Sequence, residues 1–381
     1  MNPIHLFTLG YSQEYLFIGI IFGVIIGAYS YFRVKYALSG SGLSKNKKLA
    51  IPFIIPILVL VCCLNIWSTA AILVFYLFLS SIIADVIRIM WKYLSKDKYL
   101  KFIPKYHKKG VLALIIFVII IIGGVYGMNH VELTEYNLTT NKIDNKHYSI
   151  VWVSDVHYGS IQSPHLVKES ISKINDLKPD IVVLGGDIVD ERTSKEDMNE
   201  IFKELGQINS TYGVYYVFGN HDNQPSSTDY ENGNRTFSDE ELIKTIKDNG
   251  IKILCDEKTT INNDVVLVGR SDVQWDGVAD RVDVSKILNE SDLSKYVVVL
   301  DHQPIDCEKN SQHGVDLQIS GHTHGGQVFP FSIIYSKFMG ILVYGEYHFG
   351  KMEQIVSSGL TGWGYPMRNE AKCEYVLINI N

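Results

Sequence analysis

Apolar residues follow two different patterns along this chain. Before about residue 130 they form long unbroken runs, at 15–32, 50–84 and 111–128. A helix that crosses a bilayer needs about 20 consecutive apolar residues, so each run can span one. The second run is far longer than one span needs and is interrupted by Asn65, Ser68 and Thr69. It predicts a hairpin, and the expected spans are 15–32, 50–66, 69–88 and 111–128. Beyond residue 130 the pattern changes to short β-branched stretches that run out into polar loops. Five segments share it, at 148–157, 180–190, 214–222, 296–304 and 315–327. Helical periodicity fills the gaps at 165–177, 195–208, 239–249 and 284–288. Fully apolar strands imply sheets covered on both faces. Strand and helix in alternation predict a layered α/β fold. The expected organisation is a transmembrane region over 1–130, a juxtamembrane linker over 131–148 with a strand at 131–138, and one folded domain over 149–381.

Charge sharpens this division. The 381 residues carry a net charge of −6, but up to His130 there are 13 Lys and Arg against 3 Asp and Glu. The remainder is acidic, which argues against a nucleic-acid-binding surface. Within the first part, the basic residues fall at 33–48, between spans one and two, and at 88–109, between spans three and four. The positive-inside rule places both basic loops in the cytoplasm, so the 149–381 domain is expected outside it, at a multi-pass cell membrane. Three spans would put the two basic loops on opposite sides. No cleavable signal is evident, because the first basic residue, Arg33, follows the first apolar run. Asp85 and Arg88 stand at i and i+3 near a span end, where both can reach the interface. The five cysteines have no disulfide or zinc-finger spacing and read as free thiols.

The polar loops carry the chemistry. The first holds Asp155 and His157, the second Asp187 and Asp190, and the third Asn220, His221 and Asp222. The fourth holds Asp301 and His302, and the fifth His322 and His324. In α/β folds the strand ends converge on one rim. A set of carboxylates, imidazoles and an amide suits two divalent ions such as Mn, Fe or Zn. Two such ions about 3.5–4 Å apart clamp a phosphoryl group and lower the pKa of a shared water to about 7. One carboxylate must bridge them, and Asp187 is the natural candidate. Asp272, His165, His313 and His348 have no such setting and read as bystanders.

These five stretches resemble the signature of the calcineurin-like metallophosphoesterases. Asp155-x-His157, Gly186-Asp187-x-x-Asp190, Gly219-Asn220-His221-Asp222, a lone His302 and Gly321-His322-x-His324 occur in the family's order. The glycine-rich tail 359–368 is similar to that of the membrane-anchored bacterial branch. The resemblance implies a sandwich of two mixed sheets flanked by helices, preceded here by the four spans. It implies that Asp155, His157, Asp187 and His324 hold one metal, and that Asp187, Asn220, His302 and His322 hold the other. His221 would face the leaving group as general acid or stabilise phosphoryl charge, oriented by Asp190 or Asp222. Arg368 would contact phosphate, or else form a surface salt bridge.

The implied activity is phosphoester hydrolysis by a metal-activated water. An anchored site favours a lipid-linked or cell-envelope phosphoester at the outer face. A metal-bound receptor without turnover, and a cytoplasm-facing nucleotide phosphodiesterase, are the alternatives. Two stretches could shape specificity: the long polar loop 223–241 and the aromatic-rich 328–349. The latter is either core or an apolar lip that meets the bilayer.

Overall fold

Alternating burial along two sets of strands explains the second half of the molecule. The computed structural model describes residues 13–66, 68–94, 107–143, 146–160, 164–224, 235–273 and 281–381. Most of the polar loop 223–241, Trp67 and the basic stretch 95–106 lie outside them. The chain forms two compact units, Met1–Gly124 and Val125–Asn381.

The first unit is built from α1 (Gln13–Leu38), α2 (Lys45–Cys63), α3 (Thr69–Leu94) and most of α4 (Val111–Met128). All four helices are long and apolar enough to cross a membrane. Helices α1 and α3 and the start of α2 run past the expected spans, where flanking Lys and Arg residues are good helix formers, and α4 coincides with its apolar run. Phe53, Ile57, Leu114 and Ile119 are among many apolar side chains left exposed, as a lipid-facing surface requires. Helices α1 and α2 approach closely at Gly19 and Gly23, one turn apart. A Cβ on Gly19 would lie 2.2 Å from the Cys63 carbonyl oxygen, so only glycine fits there. Asp85 near the end of α3 has partners on other helical segments. It accepts a 2.7 Å hydrogen bond from the Tyr29 hydroxyl, and His107 Nε2 lies 2.5 Å from it.

The second unit holds two six-stranded mixed sheets. The first has the order β1 (Val131–Leu138), β12 (Cys373–Ile380), β2 (Tyr148–Val153), β3 (Ile181–Leu184), β4 (Val214–Tyr216), β5 (Lys252–Ile253). The second has the order β10 (Gly345–Phe349), β11 (Met352–Val356), β9 (Leu317–Ser320), β8 (Tyr296–Leu300), β7 (Val265–Gly269), β6 (Glu257–Ile261). Along β2, Ile150 and Trp152 face one core and Val151 and Val153 face another. The period-2 alternation of a strand produces this split. The core containing Trp152 also holds Val183, Val298, Leu300, Ile319 and Ile378, and fills the space between the two sheets. Outside the first sheet lie α5 (Pro164–Leu177), α6 (Lys195–Leu205) and α7 (Asp239–Asp248), which bury Ile171, Phe202 and Ile246. The second sheet is covered by α8 (Val284–Ile287) and α9 (Cys307–Gln312), around Val268, Val284 and Cys307.

This is the expected fold class, with one addition near its start. Residues 131–138, where the sequence predicts a strand within the juxtamembrane linker, join the first sheet. They form edge strand β1, in parallel register with β12, because Val131 and Leu133 pack on the core under the helices. Sequence order hid this, since the partner strand lies at the other end of the chain.

Trp152 is fully buried between the sheets. Replacing it with alanine leaves a large cavity, a loss of about 3–5 kcal/mol. For a unit of this size that is a fall in Tm of about 10 °C. Thermal unfolding of the full chain in detergent reads it, and a shift of under ~3 °C would mean that the core closes over the gap.

Candidate metal centre

Each predicted polar loop leaves the carboxyl end of its strand, and the loops meet at one rim. Strands β2, β3 and β4 are mutually parallel, as are β7, β8 and β9, so the ends bearing the polar residues coincide within each sheet. The backbone bends sharply as it leaves. Asp155, His157, Asp187, His322 and His324 all have positive φ, from 46° to 72°. Such left-handed conformations cost about 1–3 kcal/mol each in a non-glycine residue and cluster where function requires them.

The side chains form two groups. Asp155, His157 and His324 place a donor atom each within 4.8 Å of one another, and so do Asp187, His302 and His322. Asp187 lies between the groups. Its Oδ2 is 3.0 Å from His302 Nε2 and 3.9 Å from His157 Nε2. Asp187 Oδ2, both ring nitrogens of His157, His302 Nε2, His322 Nδ1 and Asn220 Oδ1 are buried without a well-formed hydrogen bond. Buried polar atoms are normally satisfied. A cluster of unsatisfied oxygen and nitrogen donors, none of them a thiol, fits divalent ions of the Mn, Fe or Zn kind.

Neighbouring groups orient these donors. His302 Nδ1 donates to the Gly185 carbonyl at 2.8 Å, which leaves Nε2 free to bind. His157 Nδ1 lies 3.3 Å from Asp190 Oδ2. The His322 backbone N–H donates to both oxygens of Asp155. Burial, then His302, pushes the pKa of His322 down to about 3. His324 is lowered too, by burial and then by His157 and Arg368. Both imidazoles are therefore held neutral, the form that binds metal. Asp187 is lowered well below the carboxylate range: burial opposes this, but the His302 and His221 rings outweigh it.

Three residues differ from expectation. Neither Asp190 nor Asp222 orients His221. Glu191 does, with its carboxylate 2.7 Å from His221 Nδ1. Asp190 is occupied behind His157. Asp222 accepts the backbone N–H groups of Asp187, Ile188, Val189 and Gly219, so it clamps the loop that carries Asp187. Arg368 is buried and makes no surface salt bridge; its guanidinium donates to the carbonyls of Ser358, Thr361 and Lys372. Its Nη2 also stands 3.4 Å from His324 Nδ1, behind a candidate ligand. Asp301 pairs with Arg281, and Asp272 accepts from Gln303. Glu191 was missed because it follows Asp190 directly, and no motif spacing marks it. Trp363, in the glycine-rich tail, lies over His221 with ring centroids 5.2 Å apart.

The His221 imidazole thus sits at the edge of both groups, with its backbone N–H on Asp187 Oδ1 at 2.8 Å. Burial would lower its pKa, but Glu191 first, then Asp187 and Asp190, raise it to about 10. The imidazole is therefore held in its protonated form at neutral pH.

Residues 148–326 match the family described as Calcineurin-like phosphoesterase. An uncharacterized metallophosphoesterase of Helicobacter pylori is 30% identical over 67% of this chain and 65% of its own length. One from Campylobacter jejuni is 32% identical over 62% of this chain and 59% of its own. A transmembrane protein with metallophosphoesterase domain from Danio rerio is 26% identical over 70% of this chain and 61% of its own. The chain therefore spans less than two thirds of the length of these relatives.

Glu191→Gln should return the His221 pKa from about 10 towards 6.5. A raised pKa contributes stability that is complete below pH 6.5 and is lost as pH rises through about 10. Metal-free wild type should accordingly lose Tm across that window, and the variant should lose less. Thermal unfolding against pH tests this, and parallel profiles would remove Glu191 from the account.

Proposed function

We propose, from the match of residues 148–326 to the calcineurin-like phosphoesterase family, that the chain is a membrane-anchored, two-metal phosphoester hydrolase. The observation that carries the reading is Asp187, set between two groups of unsatisfied buried donors. Asp155, His157 and His324 would hold one ion, and His302, His322 and Asn220 the other, with Asp187 shared. When bound, such a pair supplies a water of lowered pKa as nucleophile and neutralises charge on the phosphoryl oxygens.

The chain's own residues supply the rest. Asp222 fixes the loop of Asp187 through four backbone N–H groups. His221, charged and held by Glu191, donates a proton to the departing alkoxide oxygen, which avoids expelling it as an anion. Trp363 covers the other side of that ring, so the leaving group meets an aromatic face there. The buried guanidinium of Arg368 ties the tail loop behind His324.

The four apolar helices support a multi-pass membrane protein. The basic residues at 33–48 and 88–109 support an extracytoplasmic catalytic unit, and so a phosphoester of the lipid or envelope kind as substrate.

Two measurements test this. After metal stripping and reloading with Mn²⁺, the full chain in detergent should hydrolyse an aryl phosphate monoester or a bis-aryl diester. Asp187→Asn should lose both turnover and one or both bound ions by elemental analysis. His221→Ala should keep its metals and lose about 10²–10⁴ in rate. Full activity in Asp187→Asn would overturn the assignment. Separately, a periplasm-active alkaline phosphatase fused after Asn381 should be active, and a fluorescent reporter that matures only in the cytoplasm should be dark. The reverse would place the site inside.

A further inference from the structure

Exposed large apolar side chains are few in the second unit, and they cluster. Among its described residues beyond Met128 they are Val273, Val282, Leu293, Phe329, Ile333, Phe338 and Met339. Four of these seven fall within 329–339, and Phe338 and Met339 are 80% and 60% exposed. Ile333 and Phe338 sit on a short helical turn, Phe331–Ile333 followed by Ile334–Phe338, that Phe329 and Met339 flank and that also exposes Lys337. Soluble surfaces rarely gather large apolar side chains in this way. Apolar tips beside a lysine are the composition of an element that lies in a bilayer interface.

The last turn of α4, a helix able to cross a membrane, belongs to the second unit. That turn packs on the glycine-rich tail loop. A Cβ on Gly362 would lie 2.7 Å from Met128 Cε, and one on Gly127 would lie 2.5 Å from the Arg368 carbonyl oxygen. Cys373 Sγ points at the Met128 carbonyl at 3.7 Å. The exposed turn is tied to that same loop. The Phe329 N–H donates to Asn369 Oδ1, and Ser332 donates through both its N–H and hydroxyl to Glu370. Gln327 joins the two, donating to the carbonyls of Trp363, Tyr365 and Met367. The last turn of α4 and the apolar turn thus both contact one loop, and that loop carries Trp363 and Arg368 of the site.

From this we propose that residues 329–339 form a docking lip that inserts into the bilayer holding α4, and that the site takes phosphoesters presented by that lipid surface. An open groove of about 670 Å³ runs beside the lip. It is lined by Ile333, Lys337, Val343, Tyr344 and Glu370, and it reaches Gly325, the residue after His324. Its apolar walls suit a lipid chain, and its two charged side chains, Lys337 and Glu370, are of opposite sign. The insertion stands on geometry alone, and only the substrate class rests on the proposed phosphoesterase reading.

The full chain is reconstituted into vesicles of phosphatidylcholine and phosphatidylglycerol whose acyl chains are brominated. An environment-sensitive fluorophore is placed at Met339→Cys, with Cys255→Ser removing the exposed native thiol. A second sample carries it at Leu293→Cys, beside Gly314 at the start of β9, the sheet end away from the site. Strong quenching at 339 and little at 293 is expected, and equal quenching at the two overturns the lip. For the substrate, Phe338→Asp with Met339→Asp should lower cleavage of an aryl phosphatidate in these vesicles about tenfold, because both side chains leave the interface. Turnover of the soluble bis-aryl ester should not change. Equal rates on the lipid ester, or no lipid cleavage by a wild type that cleaves the soluble ester, overturn the substrate class. No metal-dependent turnover of either ester would refute the phosphoesterase reading and leave the quenching result standing.

Discussion

A buried carboxylate is the constraint on which the site is built. Asp187 is almost wholly removed from water and lies within 4 Å of two imidazoles. An isolated charge in such a place would be strongly disfavoured, and it persists only where positive groups and directed donors surround it. Here His302 stands on one side and His157 on the other, and the His221 N–H donates to Oδ1. The loop cannot relax away, because Asp222 holds it through four backbone N–H groups. The strained φ values of Asp155, His157, Asp187, His322 and His324 follow from the same demand. Five side chains must turn inward at once, and the sandwich beneath them is rigid enough to enforce it.

The sandwich also explains why two sheets are needed. Asp155, Asp187 and Asn220 leave the first sheet, while His302, His322 and His324 leave the second. Each candidate metal group draws on both sheets. The core around Trp152, Val298 and Ile319 sets the spacing between the sheets and, through it, the spacing of the donors. Packing deep in the molecule is in this way linked to chemistry at its rim.

A ring of supporting residues turns donors into a site. Gly185 sets the tautomer of His302, Glu191 keeps His221 charged, and Arg368 stitches the tail loop behind His324. The tail loop links this ring to the last turn of α4 through Met128 and Gly362.

The sequence alone determined the parts whose signals are local. Unbroken apolar runs announce spans, because a bilayer demands length and composition and little else. Fully apolar strands followed by Asp, Asn and His announce a layered α/β fold with its polar residues on a rim, because strand periodicity and topology put them there. Tertiary structure decided everything that depends on which residues lie behind those. Strand β1 belongs to the first sheet only because β12, from the other end of the chain, lies beside it. Glu191, one residue beyond a recognisable motif, reaches His221, whereas Asp190 and Asp222 face other partners. Arg368 reads as a phosphate contact or a surface ion pair in one dimension, and in three its buried guanidinium holds backbone carbonyls of the tail loop. Which oxygen meets which nitrogen is set by loop geometry and burial, and these come from packing across hundreds of residues, which no short pattern encodes.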